Sequence, residues 1–279
     1  MKIRIGYAPG AREPRRDDFS ALVLGLENLG FDSLWVTESA TGPGGDPVAL
    51  MAHAGALTSR IKIGTAVTVL PGRQPALLAQ QLATLDHLSG GRLLPAFGLG
   101  SRRAADHQAY GVERGERVAL FEELLPLLRR FWTEDSVTHR GPRFTFENVG
   151  VNPKPVKGFD VWMGGTSDAE LRRTGRLADG WLAAYTTPAE AGRARELITA
   201  TAAEHGREID PEHFGAVVPY HRGDGTADER VPSLDALEDR LRRFTDEGIS
   251  KFVLAPVHRP ADWTAELTDV RDAALALQT

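Results

Sequence analysis

The forty residues from Ile61 to Gly100 restrict the chain more than any other stretch, because they spell strand, helix and strand with glycine or proline at each junction. Ile61, Ile63, Ala66, Val67 and Val69 form a β-branched run. Pro75 then opens a helix on which Leu77, Leu78, Leu82, Leu85 and Leu88 return at helical spacing. Gly90 and Gly91 stop that helix, and the next strand runs into Gly98 and Gly100. This is a parallel β/α unit. Flexible glycine backbone lies at its carboxyl end, where parallel β/α folds place their ligands.

The same alternation runs through the whole chain. Strand patterns fall at 3–7, 33–37, 61–68, 93–97, 161–164, 180–184, 215–220 and 251–256. Helical patterns fall between and after them at 17–29, 46–57, 75–88, 117–132, 168–177, 188–205, 234–247 and 262–277. Eight of each predicts an α/β fold of the closed (β/α)8 TIM barrel type. A length of 279 residues is close to the ~250 typical of one such barrel, so residues 1–279 are read as one domain. Pro95 inside the fourth strand predicts a bulge or an early strand end, and Pro126 inside a helical run predicts a kink or a new helix. Residues 137–155 alternate around Gly141 and Pro142, which predicts a hairpin inserted after the fourth strand and helix.

A net charge of −5 with both signs scattered gives no basic stripe for nucleic acid and no polybasic membrane patch. With no cysteine there is no disulfide, thiolate nucleophile or cysteine metal site. The strand pattern begins within the first residues, without the apolar stretch of a secretory peptide. A cytoplasmic protein acting on a small molecule is the expectation, with no membrane and no nucleic-acid partner. The leucine-rich second and third helices offer an apolar face for a possible homodimer.

Six segments, taken in order and spacing, resemble the bacterial luciferase-like family of flavin- and deazaflavin-dependent oxidoreductases. They are LENLGFDSLWVTES (26–39), DPVALMAHAGALTSRIKIGTAVT (46–68), QPALLAQQLATLDHLSGGRL (74–93), GLG (98–100), LRRFWTEDSVTHRGPRF (128–144) and VWMGGTSDAELRRTGRLADGW (161–181). The chain looks closest to members that use coenzyme F420, a deazaflavin, with FMN as the alternative. The resemblance implies an oxidoreductase that transfers a hydride between coenzyme F420 and a small organic substrate. An FMN-dependent monooxygenase of the same fold is the alternative, and a non-catalytic flavin- or deazaflavin-binding barrel is a further one. The resemblance also implies that the inserted segment helps cover the active site.

Several residues carry the chemistry. Gly164, Gly165, Thr166 and Ser167 follow a strand and open a helix, so bare amides there attract phosphate. Ser167 and Glu170 also satisfy a capping box without any ligand; family members place the cofactor phosphate on the matching turn, and both readings can hold together. Ala66, Val67 and Thr68 read locally as strand core, whereas the resemblance implies a bulge with a non-prolyl cis peptide at Ala66–Val67, pressing on the middle of the ring. Glu38 ends the second strand and is the candidate catalytic carboxylate. Some family members follow this acid with a histidine; here Ser39 and Ala40 stand instead, leaving Glu38 the one strong ionisable group on that loop. His221 and His258 follow strands and could face the mouth as proton donors, or be ordinary loop histidines. Arg73, Arg102 and Arg103 could pair with an anionic cofactor tail or substrate, or simply face solvent. No histidine pair or His/Asp cluster stands at the strand ends, so no metal is expected. Gly98-Leu99-Gly100 lacks the third glycine of a dinucleotide fingerprint.

Overall fold

The structure, a computed structural model, describes residues 1–223 and 228–279. Its strands are β1 (Arg4–Tyr7), β2 (Ser33–Val36), β3 (Lys62–Thr65), β4 (Thr68–Val69), β5 (Leu93–Leu94), β6 (Ala96–Gly98), β7 (Val137–Arg140), β8 (Thr145–Val149), β9 (Trp162–Gly164), β10 (Gly180–Ala184), β11 (Phe214–Tyr220) and β12 (Lys251–Pro256). The helices are α1 (Arg16–Leu29), α2 (Pro47–Leu57), α3 (Pro75–Ser89), α4 (Ala104–Tyr110), α5 (Arg117–Thr133), α6 (Asp168–Leu177), α7 (Pro188–Glu204), α8 (Leu237–Asp246) and α9 (Trp263–Ala274).

Apart from the β7–β8 hairpin, the strands form one parallel sheet in the order β4-β6-β9-β10-β11-β12-β1-β2-β3-β5. Its two ends are halves of the same neighbouring pair. β3 and β4 are one strand interrupted at Ala66–Val67, and β5 and β6 are one strand interrupted at Pro95. The lower half β3 pairs with β5 and the upper half β4 pairs with β6, so the sheet closes on itself as an eight-stranded barrel. Pro95 has no amide to give the ladder. Its carbonyl still accepts from the Trp162 amide at 3.1 Å, which keeps the neighbouring strand in place across the break.

The helix boundaries follow local chemistry. Asp46 caps α2 by accepting from the Ala49 amide at 2.9 Å, with Pro47 in the first turn. Pro75 opens α3, and Gly90 closes it in the left-handed region at φ 73°. Leu78, Leu82 and Leu85 of α3 are buried while Leu77 and Leu88 are exposed. The helix α5 continues through Pro126, and the last-but-one helical pattern begins with a short 3-10 turn at Leu234–Ala236. The helix α4 had no counterpart in the sequence pattern.

Apolar side chains divide by strand alternation. Ile5 and Tyr7 point outward to the helices, in one large core with Leu22, Leu26 and Val270. Ala8, Trp35, Ala96, Trp162, Leu182 and Val253 form a second cluster inside the barrel. Its two largest members are indoles, and glycines make room for them. A Cβ on Gly64 would stand 2.7 Å from Trp35, and one on Gly180 would stand 2.5 Å from Trp162.

The expected hairpin is present, but it packs along α5 and not over the barrel mouth. Glu123 accepts from the Phe144 amide at 3.1 Å and meets His139 at 2.9 Å. Phe146 packs edge-on against Phe131 with centroids 5.1 Å apart. No hairpin residue lines the mouth cleft, which corrects the expectation that this insertion covers it.

Candidate active site at the barrel mouth

At the carboxyl end of the strands lies a cleft of about 490 Å³. Of the residues singled out from the sequence, Glu38, Ala66, Val67, Gly98, Gly100, Gly164 and Gly165 line it together. Thr68 does not; it is buried in the wall of the barrel. Thr166 faces a separate hollow between α6 and α7.

The Ala66–Val67 peptide is cis, as the resemblance implied. The Val67 side chain turns toward the neighbouring strands. A Cβ on Gly98 would stand 2.6 Å from Val67 Cγ2, one on Gly164 would stand 3.2 Å from Val67 Cγ1, and one on Gly100 would meet Val69 at 2.8 Å. These glycines therefore first make room for the valines. Val67 becomes an apolar wall of the cleft, continued by Leu99, Leu182 and Val217.

Glu38 carries the densest polar network. Its carboxylate accepts from the Val69 amide at 2.9 Å, from the Tyr110 hydroxyl at 2.7 Å and from the Arg73 guanidinium. Its side chain is only 5 % exposed. Three donors on one carboxylate fix its orientation. Burial, and then the Glu38 carboxylate beside it, push the Tyr110 hydroxyl above the ordinary tyrosine range, so it stays a protonated phenol facing the cleft. Tyr110 was missed because α4 was missed. Only Gly111, in the left-handed conformation that ends the helix, marks its presence in the sequence.

A second acid ties the loops above the cleft. Asp106 of α4 accepts from the Thr41 amide at 3.2 Å, the Thr41 hydroxyl at 2.5 Å and the Ser101 hydroxyl. The Ser101 and Thr41 hydrogen bonds hold its carboxyl below the usual range. Arg117 donates to the carbonyls of Leu99, Gly100 and Ser101, pinning the turn after β6. Of the arginines read from sequence, Arg73 serves Glu38, Arg103 reaches the cleft, and Arg102 does not. His221 and His258 stay out of the cleft. His221 bridges to Ser233, and His258 lies 3.2 Å from the Glu266 carboxylate. Among the described residues no group of three or more metal-ligating side chains occurs.

At the start of α6 the capping box predicted from Ser167 and Glu170 is formed. The Glu170 carboxylate accepts from the Thr166 amide at 3.2 Å, the Ser167 amide at 3.1 Å and the Ser167 hydroxyl at 2.8 Å. The Glu170 side chain lies against Gly165, where a Cβ would stand 2.7 Å from its Cβ and 2.8 Å from its carboxyl carbon. The amides that suit a phosphate are held by the chain's own carboxylate.

A family model described as luciferase-like monooxygenase matches residues 1–275. The chain belongs to the luciferase-like monooxygenase family. Within the family it is similar to a phthiodiolone/phenolphthiodiolone dimycocerosates ketoreductase of Mycobacterium tuberculosis, 32% identical over 69% of this chain and 50% of that protein. It is also similar to an F420-dependent glucose-6-phosphate dehydrogenase of Segniliparus rotundus, 31% identical over 72% of this chain and 61% of the relative. The chain thus spans about half to three fifths of these curated relatives. In fold it superposes on an F420-dependent secondary alcohol dehydrogenase with a TM-score of 0.86, at 20% identity and over 100% of both chains. No described helix of this luciferase-like chain is long and apolar enough to cross a membrane.

Proposed function

We propose that this chain is an oxidoreductase that transfers a hydride between coenzyme F420 and a small organic substrate. The observation that carries the reading is the mouth cleft, with Val67 as an apolar wall and a phenol–carboxylate pair facing it. Relatives whose names specify F420 support the choice of cofactor.

The residues fit a planar ring. Val67, Leu99, Leu182 and Val217 give it an apolar bed, and the phosphate end would lie beside Gly164 and Gly165, reaching the α6 amides only where Glu170 gives them up. Bound F420 would supply a two-electron hydride carrier whose reduced form reacts poorly with oxygen. The protein's share is positioning and exclusion of water. Glu38 acts as a positioning residue: with all three donors engaged it takes the Tyr110 phenol proton in a hydrogen bond and leaves the phenol oxygen at the cleft, placed to accept from a substrate hydroxyl. Asp106, by joining the loops at Thr41 and Ser101, keeps those loops in place above the cleft.

Glu170 favours the deazaflavin over FMN. A flavin phosphomonoester brings up to two negative charges to amides already held by a carboxylate, whereas the F420 phosphodiester brings one. The test is titration of the purified protein with F420 and FMN, oxidised and reduced, followed by fluorescence and melting temperature. Tighter F420 binding in the wild type is expected, with Glu170→Gln narrowing the gap by strengthening FMN binding several-fold. Preference for reduced FMN with oxygen consumption would move the answer to a monooxygenase. Binding of F420 without turnover of any acceptor would leave a carrier, and binding of neither would end the cofactor assignment.

A further inference from the structure

The opposite end of the barrel carries a cation that the mouth chemistry does not use. Lys251, first residue of β12, is 9 % exposed, and its ammonium lies 5.0 Å from the centroid of the Trp162 ring. Among the described residues it makes no hydrogen bond and no ion pair. The stem is buried while the nitrogen reaches open space, and desolvation pulls the amine down to about 8.

The amine opens into a cavity of about 270 Å³ at the barrel floor. Five cationic side chains line it, Arg60, Lys62, Arg92, Lys157 and Lys251, against the carboxylates Asp86 and Asp160. Some of these are committed elsewhere. Lys62 meets Asp32 at 3.3 Å, and the Arg92 guanidinium is spent on the carbonyls of Gly55, Thr58 and Ile61. Asp86 accepts from the Val156 amide at 2.9 Å, and Asp160 stands 3.9 Å from His213. Arg4 and Asp32 complete the charges felt by Lys251. The balance is an excess of positive charge in a chain whose net charge is −5, with Lys251 at the inner end and exposed Lys157 at the rim.

We propose that the floor cavity binds a small multivalent oxyanion, a phosphate or a phosphate monoester, with Lys251 as its inner ligand. Ammonium groups act as point-charge partners for such anions, and an anion here would supply the acceptor that Lys251 lacks.

The test is melting temperature in inorganic phosphate or glycerol phosphate against chloride at matched ionic strength, for the wild type and Lys251→Met. At pH 7 and tenfold excess over Kd, a saturable rise of about 3 °C is expected, lost in Lys251→Met and fading as pH climbs past 8. A second measurement is acylation of Lys251 read by mass spectrometry on the wild type, which the bound anion should slow several-fold. A larger effect of glycerol phosphate assigns the cavity to esters; a larger effect of inorganic phosphate assigns it to the free anion. No stabilisation beyond chloride with unchanged acylation, or a full rise retained in Lys251→Met, would overturn the proposal.

Discussion

The two ends of the barrel treat their buried charges in opposite ways. At the mouth the Glu38 carboxylate is surrounded by three donors: the Val69 amide of β4, Arg73 of the loop after it and Tyr110 of α4. At the floor the Lys251 ammonium has an aromatic face and charged neighbours of both signs but, among the described residues, no hydrogen-bond acceptor. A satisfied buried charge organises what surrounds it, whereas an unsatisfied one burdens the fold until a partner arrives. The mouth is finished before any ligand enters; the floor is not.

The sharpest way to break the contrast is Glu38→Ala. Removing a buried acceptor from a guanidinium, a phenol and a backbone amide should cost about 3 kcal/mol or more, read as a lower denaturant midpoint. Glu38→Gln keeps an acceptor and should lose less. If Glu38 positions Tyr110, both variants also shift the basic limb of the pH–rate profile toward lower pH, as the phenol loses the neighbour that raises it.

At the floor the sign reverses. The folded Lys251 amine, at about 8, lies below its ordinary 10.5, so the unfolded chain binds more protons between those values and stability rises with pH across that window. The penalty is full below pH 8 and disappears as pH rises above 10.5. In chloride buffer Lys251→Met should therefore stabilise the protein at pH 7 by up to about 3 kcal/mol. That gain should shrink between pH 8 and 10.5; an unchanged or lowered stability at pH 7 would show that the buried charge is no burden. The smallest expected effect lies between the two ends. Gly64→Ala pushes a methyl to 2.7 Å from Trp35 and should cost about 1–3 kcal/mol, measurable by thermal or denaturant unfolding.

Much of the fold was legible because β/α units punctuate themselves. Pro75 and Gly90 bound α3 where the pattern places them, and all eight barrel strands fall within a residue or two of their apolar runs. Pro95 was readable as a break because proline cannot donate to a ladder. The helix α4 was not legible: seven residues with little apolar periodicity leave no helical signature, and Tyr110 and Asp106 stayed hidden with it. The glycines at 98, 100 and 164 were read as room for a ligand. In the structure they first give room to Val67 and Val69, a pairing between strands that no local pattern can reveal. Glu170 was visible as a helix cap. That its oxygens cover the amides suited to phosphate is a matter of side-chain reach, which no local pattern encodes.

The two indoles inside the barrel have a consequence for how this protein can change. Because Trp35 and Trp162 stopper the interior, the barrel is two shallow cups set back to back and not a pipe. Solutes arriving at one end have no passage to the other. Substitutions that reshape either cup can accumulate on separate faces of a shared partition, so one scaffold can revise its two chemistries in parallel.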